Sequence, residues 1–269
     1  MRHAWLIIAH NEFEILQKLV SLLDQAQSDI IVHIDKKVRQ LPEIHADKAR
    51  LIILEDRIDV RWGTVSQIRT ELTLLEEAAK QGPYDYYHII SGTTLPLQIY
   101  TGLEDYFSHK EGNSIVTGMC KDEPYQETLK IHRYNFFVKD FTNPARWKSK
   151  VSQFLWRAAI AVQRLLGIRI NREGEYYKAS NWLSLTEEAV RHILFRRPEI
   201  EKKYRWSFCG DEFFIPSELM ASPELRQKIV NDEKYLKHDM GRANAGVFHL
   251  SDYPALQQTG YLFARKFTA

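Results

Sequence analysis

Two short, unbroken apolar runs constrain this chain more than any other feature: Trp5-Leu6-Ile7-Ile8-Ala9 and the stretch from Asp29 to Asp35. A run of that length without polar alternation has the pattern of a strand covered on both faces, as in a parallel sheet layered by helices. Between the runs, Phe13, Ile15, Leu16, Leu19, Leu22 and Leu23 recur at helical spacing. The three segments together read as a β-α-β unit with both strand ends at one rim. Leu51 to Leu54 predicts a third strand. Val65, Ile68, Leu72, Leu75 and Ala79 mark one face of a helix that stops near Gly82-Pro83, and the next strand is predicted from Tyr84 to Ile90.

This alternation across roughly the first hundred residues predicts an α/β fold, a mainly parallel sheet flanked by helices. In such folds ligands bind beyond the carboxyl ends of the strands, where His10, Asp35 and Ser91 fall. The second half is less regular. It holds a basic and aromatic stretch from about Arg133 to Arg172, a strand pattern at Trp182 to Leu185, and a helix opened by Thr186 with Glu187 and Glu188 in its first turn. No repeat or low-complexity linker divides the 269 residues, so one domain is expected.

Bulk composition narrows the function classes. A net charge of +2 gives no electrostatic case for a nucleic-acid partner. Cys120 and Cys209 stand far apart in no metal-ligand or redox spacing, which fits a reducing compartment. No stretch approaches the roughly twenty apolar residues of a membrane-spanning helix, and the amino-terminal run reads as a strand rather than a signal peptide. A cytoplasmic protein is expected, with peripheral attachment at the inner face of the cell membrane left open. His10, His33 and His88 have no metal-ligand spacing and read as structural or as supports behind the residues that line the site.

Four ordered blocks carry a family resemblance: Ile8-Ala9-His10-Asn11, Val32-His33-Ile34-Asp35-Lys36-Lys37, Trp62-Gly63-Thr64-Val65-Ser66, and the segment from Tyr87 through Ser91-Gly92-Thr93-Thr94 to Leu97. Later, Lys178-Ala179-Ser180-Asn181-Trp182, Gly210-Asp211-Glu212-Phe213-Phe214 and Leu262-Phe263-Ala264-Arg265-Lys266-Phe267 continue it. The chain resembles glycosyltransferase family 14, in particular its core-2/I-branching β-1,6-N-acetylglucosaminyltransferases and the related peptide O-xylosyltransferases, over about residues 3 to 267. The resemblance implies a GT-A-like, Rossmann-related fold, with about 1–110 as the nucleotide-binding half and about 111–269 as the acceptor-binding and catalytic half. It implies inverting transfer of a sugar, N-acetylglucosamine first, from a UDP-sugar to a glycan hydroxyl in polysaccharide or lipopolysaccharide synthesis. The alternatives are a xylosyltransferase or other UDP-sugar specificity, and a catalytically silent nucleotide-sugar or glycan-binding module.

Inverting transfer needs a base on the acceptor hydroxyl, and the resemblance gives that role to Glu212, with Asp211 beside it able to raise its proton affinity by like-charge repulsion. The departing diphosphate needs fixed positive charge. The family uses no metal, no Asp-x-Asp occurs in this chain, and Lys266 with Arg242 or Arg265 is expected to replace the ion; no metal or other cofactor is expected. By resemblance Asp35 faces the uridine, the backbone at Ile8 and Ala9 lines the same pocket, and Gly63 and Thr64 approach the nucleotide or form a turn and helix cap. Trp182 is either a sugar-stacking platform or core, with Asn181 and Ser180 as polar neighbours. Lys130 and Arg133 are candidate acceptor contacts or else surface charge, and Asp211, Ser180 and Asn181 are expected on the acceptor side with them. Thr94 departs from the family, which commonly has an aspartate there.

Residues 147–169 interleave Val151, Phe154, Leu155, Val162 and Leu165 with Lys148, Lys150, Arg157, Arg164 and Arg169, the composition of a basic amphipathic helix. Such a helix either lies on an anionic membrane, bringing the enzyme to a lipid-linked glycan, or packs on the protein's own core.

Overall fold

The structure is a computed structural model that describes residues 1–121, 124–238 and 246–269. Its central sheet has strands β1 (His3–Ala9), β2 (Ser28–Ile34), β3 (Arg50–Ile53), β4 (Tyr86–Ser91), β5 (Ser114–Val116), β6 (Leu183–Leu185) and β7 (Ile229–Asn231), in the order β7-β5-β6-β4-β1-β2-β3. β1 runs parallel to β2 and β4, β2 to β3, and β5 to β7, while β6 is antiparallel to both neighbours. The expected mainly parallel α/β sheet is therefore present, with its first crossovers where the apolar runs put them.

β1 and β2 are the unalternated runs and lie at the sheet centre, buried on both faces except at half-buried Ile8. Helix α1 (Phe13–Leu23) turns Ile15, Leu16, Leu19, Val20 and Leu23 inward. Helix α2 (Val65–Gln81) begins at Thr64, whose hydroxyl accepts from the Ser66 amide and satisfies one of the open N–H groups at the helix start. Polar groups inside the sheet are paired across strands. His3 Nδ1 meets His88 Nε2 at 2.8 Å, His88 Nδ1 meets Ser184 Oγ at 2.7 Å, and Ser184 meets the Tyr235 hydroxyl at 2.8 Å. Burial accordingly holds His88 well below the ordinary imidazole range, in keeping with the structural reading of His88.

The carboxyl terminus is stitched onto the rim of this sheet. Phe263–Arg265 pairs in parallel with Leu236–His238 and antiparallel with Leu95–Pro96. The Phe267 amide donates to Thr93 O at 2.9 Å and Phe267 itself is buried. One apolar cluster runs from Ala4 to Phe267 and includes residues of both halves.

Helix α3 (Arg146–Leu165) departs from one of its two expected packings. It does not bury its apolar stripe: the side it turns inward carries Ser152, Ile160 and Gln163, while Trp147, Val151, Phe154, Val162 and Leu165 stay exposed. Hydrogen bonds explain the choice of face. Gln163 both accepts from the Tyr134 amide at 2.8 Å and donates to Tyr134 O at 2.9 Å, Trp156 Nε1 donates to Asn135 Oδ1 at 2.8 Å, and the Ser152 hydroxyl donates to Phe137 O.

Candidate functional site

The strand ends of β1, β2 and β4 form one wall. The Asp35 amide donates to Ala9 O at 2.9 Å and the Gly92 amide to Ile8 O at 2.8 Å, so the backbone at Ile8 and Ala9 ties the three strand ends together. A Cβ on Gly92 would stand 2.8 Å from that of Ala9, which is why glycine follows Ser91. Asp35 is buried, and its carboxylate accepts from the Lys37 amide at 2.8 Å and the Lys37 ammonium at 2.7 Å. It is thus a turn-forming aspartate and a rim carboxylate at once. Beside it, burial lowers the His10 imidazole, against the pull of Asp35 and aided by Lys37, Lys266 and Arg265. The same residue therefore senses the first β-α-β unit and the carboxyl-terminal cations.

Those cations are set in place by the added terminal strand. Arg265 Nε donates to Ser91 Oγ at 3.2 Å, and its guanidinium lies 4.7 Å from the centre of the Trp182 ring. Burial drops the Arg265 pKa to about 10, and burial together with Arg265 lowers that of Lys266. Neighbouring His238 is pushed to about 4 by burial first and then by Arg265 and Lys266. Among the described residues neither Arg265 nor Lys266 forms an ion pair with a carboxylate. Thr94 accounts for part of this: it is fully buried and its hydroxyl meets Ser91 Oγ at 2.8 Å, where an aspartate would have offered Arg265 a nearby anion. Trp182 is buried with Arg265 against its ring. Arg242 lies outside the described residues.

The acidic turn Gly210–Glu212 is the second wall. The Glu212 carboxylate meets Lys130 Nζ at 3.1 Å and Lys178 Nζ at 3.6 Å. Asp211 points the other way. It is buried, accepts from Gln67 Nε2 at 2.8 Å and Asn181 Nδ2 at 3.3 Å, and has its other oxygen unpartnered. Burial, then the charge of Glu212, raises its pKa to about 7. Glu71 is fully buried with both oxygens unpartnered, and burial followed by Asp211 raises it well above the carboxylate range. Two acids whose proton affinity is raised by burial are therefore stored behind Glu212.

The walls are joined by residues 178–182. The Ala179 amide donates to Glu212 O at 3.0 Å, Asn181 reaches Asp211, the Trp182 amide donates to Ser180 Oγ at 3.2 Å, and the Trp182 ring carries Arg265. Gly63 has φ +75°, and a Cβ there would come within 2.6 Å of the Phe208 ring, while Gly63 O accepts from the Cys209 amide at 3.0 Å. Gly63 thus packs against the acidic turn, and Thr64 caps α2. Two nitrogens of the Arg133 guanidinium are buried without a partner among the described residues.

The structure adds residues that sequence reasoning did not assign: Glu71, Gln67, Lys178 and Lys37. Glu71 left a signal, since it follows Ile68 by three and precedes Leu75 by four and so stands on the apolar stripe of its helix. Lys178 lay inside a quoted block without a role. Gln67 left none.

The family model described as Core-2/I-Branching enzyme matches residues 3–245, most of the chain. No curated protein sequence matches. Among solved structures, mouse xyloside xylosyltransferase 1 in its apo form is similar over 97% of both chains, at 12% identity and a TM-score of 0.39. Residues 1–349 of TarS from S. aureus match over 52% of this chain and 43% of theirs, at 12% identity and a TM-score of 0.31. Likenesses of that size add nothing to the argument.

Proposed function

The chain belongs to the Core-2/I-Branching enzyme family, and from that premise we propose that it is an inverting, metal-independent glycosyltransferase that moves N-acetylglucosamine from a UDP-sugar to a hydroxyl of a glycan, in polysaccharide or lipopolysaccharide synthesis in the cytoplasm. The observation that carries this reading is the pair Arg265 and Lys266: half-buried cations at the strand ends with no carboxylate partner among the described residues. Unpaired buried charge is costly. A diphosphate bound there would repay that cost, and two fixed cations would supply the charge stabilisation that other enzymes obtain from a metal.

Glu212 then takes the proton from the acceptor hydroxyl as its oxygen attacks the anomeric carbon. The bond to the UDP oxygen breaks on the opposite face, and the electron pair leaves on a phosphate facing Arg265 and Lys266. Lys130 and Lys178 hold the Glu212 carboxylate and stand where acceptor oxygens would approach. Asp35 with the strand ends at Ile8 and Ala9 takes the uridine side, and Trp182 positions Arg265.

A transfer assay with a panel of UDP-sugars in EDTA tests the reading. Transfer should persist under chelation with UDP-N-acetylglucosamine as the preferred donor. One observation favours a second donor: hydroxyl-paired Thr94 withdraws the carboxylate from the sugar side, and preference for UDP-xylose in the same panel would follow from that loss.

A further inference from the structure

Helix α3 divides into three sectors at about 100° per residue. The protein-facing sector carries Ser152, Trp156, Ile160 and Gln163. A second sector aligns Arg146, Lys150, Arg157 and Arg164 in one stripe. The third aligns Phe154, Trp147, Leu165, Val151 and Val162, of which Trp147, Phe154 and Leu165 are 66%, 69% and 86% exposed. Exposed Phe137 joins Trp147, Val151 and Leu155 around a cavity of about 490 Å³ whose remaining lining is Lys139, Asp140, Lys148 and Ser152, so the exposed apolar residues extend beyond the helix to Phe137. The charge is one-sided: residues 141–172 contain seven Lys and Arg and no Asp or Glu, in a chain whose net charge is only +2.

We propose that α3 is an interfacial anchor whose apolar sector enters the headgroup region of an anionic lipid bilayer while its basic stripe binds the lipid phosphates. The charge decides the occupant. A second copy of this chain would bring the same uniformly basic stripe against itself, and a nucleic acid would have no use for Phe154 and Leu165, whereas an anionic membrane satisfies both sectors at once. The helix also sits beside the site. Trp156 packs its ring 5.9 Å from that of Phe208, which covers Gly63 and precedes Glu212 by four residues. Docking through α3 therefore brings the acceptor side of the site towards the headgroups, and this deepening rests on the glycosyltransferase reading by giving its acceptor a lipid carrier.

The test is co-sedimentation of the full chain with phosphatidylcholine vesicles, with and without phosphatidylglycerol, beside two variants. One combines Arg146→Gln, Lys150→Gln and Arg157→Gln; the other combines Phe154→Ser and Leu165→Ser. All five positions are exposed, and circular dichroism checks that the fold is kept. Binding should require phosphatidylglycerol and weaken about tenfold or more in each variant. Absence of binding at low salt, or binding unchanged by both variants, overturns the proposal. So does a dimer that the serine variant dissociates in a chain that ignores lipid. The readout is separate from catalysis: vesicle binding without transfer sinks the enzyme reading and leaves the anchor, whereas transfer to a soluble acceptor without vesicle binding sinks the anchor alone.

Discussion

The two walls of the site bury charge in opposite ways. At the carboxyl terminus, Arg265 and Lys266 have no carboxylate partner among the described residues, and Arg265 is held by a hydroxyl and an aromatic face. At the acidic turn, Glu212 is already paired with two lysines, and burial raises the proton affinity of both acids behind it, Asp211 to a pKa of about 7 and Glu71 well above the carboxylate range. Among the described residues one wall lacks a counter-anion, while the other has its carboxylate paired before any substrate binds. The difference suits a reaction in which a diphosphate must be held as its charge grows, while a carboxylate need only accept one proton.

The largest expected effect comes from breaking the acidic wall. Glu212→Gln keeps the shape and removes the base, so transfer should fall about a hundred- to ten-thousandfold while UDP binding is unchanged, as read by steady-state kinetics and calorimetry. Equal activity would move the base elsewhere. At the cationic wall, Lys266→Ala should weaken UDP binding and the rate together by about ten- to a hundredfold, the worth of one charge-assisted hydrogen bond. An effect on rate alone would separate Lys266 from the ground-state phosphate.

Gly63 sharpens the comparison because it packs against the acidic wall. Gly63→Ala combines a positive φ with contact against Phe208 and should lower stability by about 1–3 kcal/mol in denaturant melts, lowering transfer more than UDP binding. The smallest effect is a pH slope. With its folded pKa raised to about 7, Asp211 contributes stability that is full in acid, below its unfolded pKa, and is lost as the pH rises through 7. The melting temperature should therefore fall by a few degrees between about pH 5 and pH 8, and Asp211→Asn should flatten that fall. A slope unchanged in the variant would assign it to another group.

The regular half of the fold was legible because unalternated apolar runs leave few options: β1, β2, α1 and α2 lie within two residues of where periodicity puts them. Periodicity gave the existence of α3 but not its orientation. An apolar stripe says which residues group together, and only the hydrogen bonds of Gln163 and Trp156 to residues 134 and 135 decide which sector turns inward. Within the site, the terminal block Leu262 to Phe267 could be read as anchored since large apolar residues flank the cations, and its pairing with Leu95–Pro96 bears that out. The link between Gln67 and Asp211 joins positions 144 residues apart through side chains alone, and no local pattern encodes it.

The most direct measurement is calorimetric titration of UDP into the chain in EDTA, alongside Lys266→Ala and Arg265→Gln. If Arg265 and Lys266 hold the diphosphate, UDP binds without a divalent ion and both substitutions weaken it. Binding that appears only when magnesium or manganese is added, or that neither substitution changes, would contradict the account.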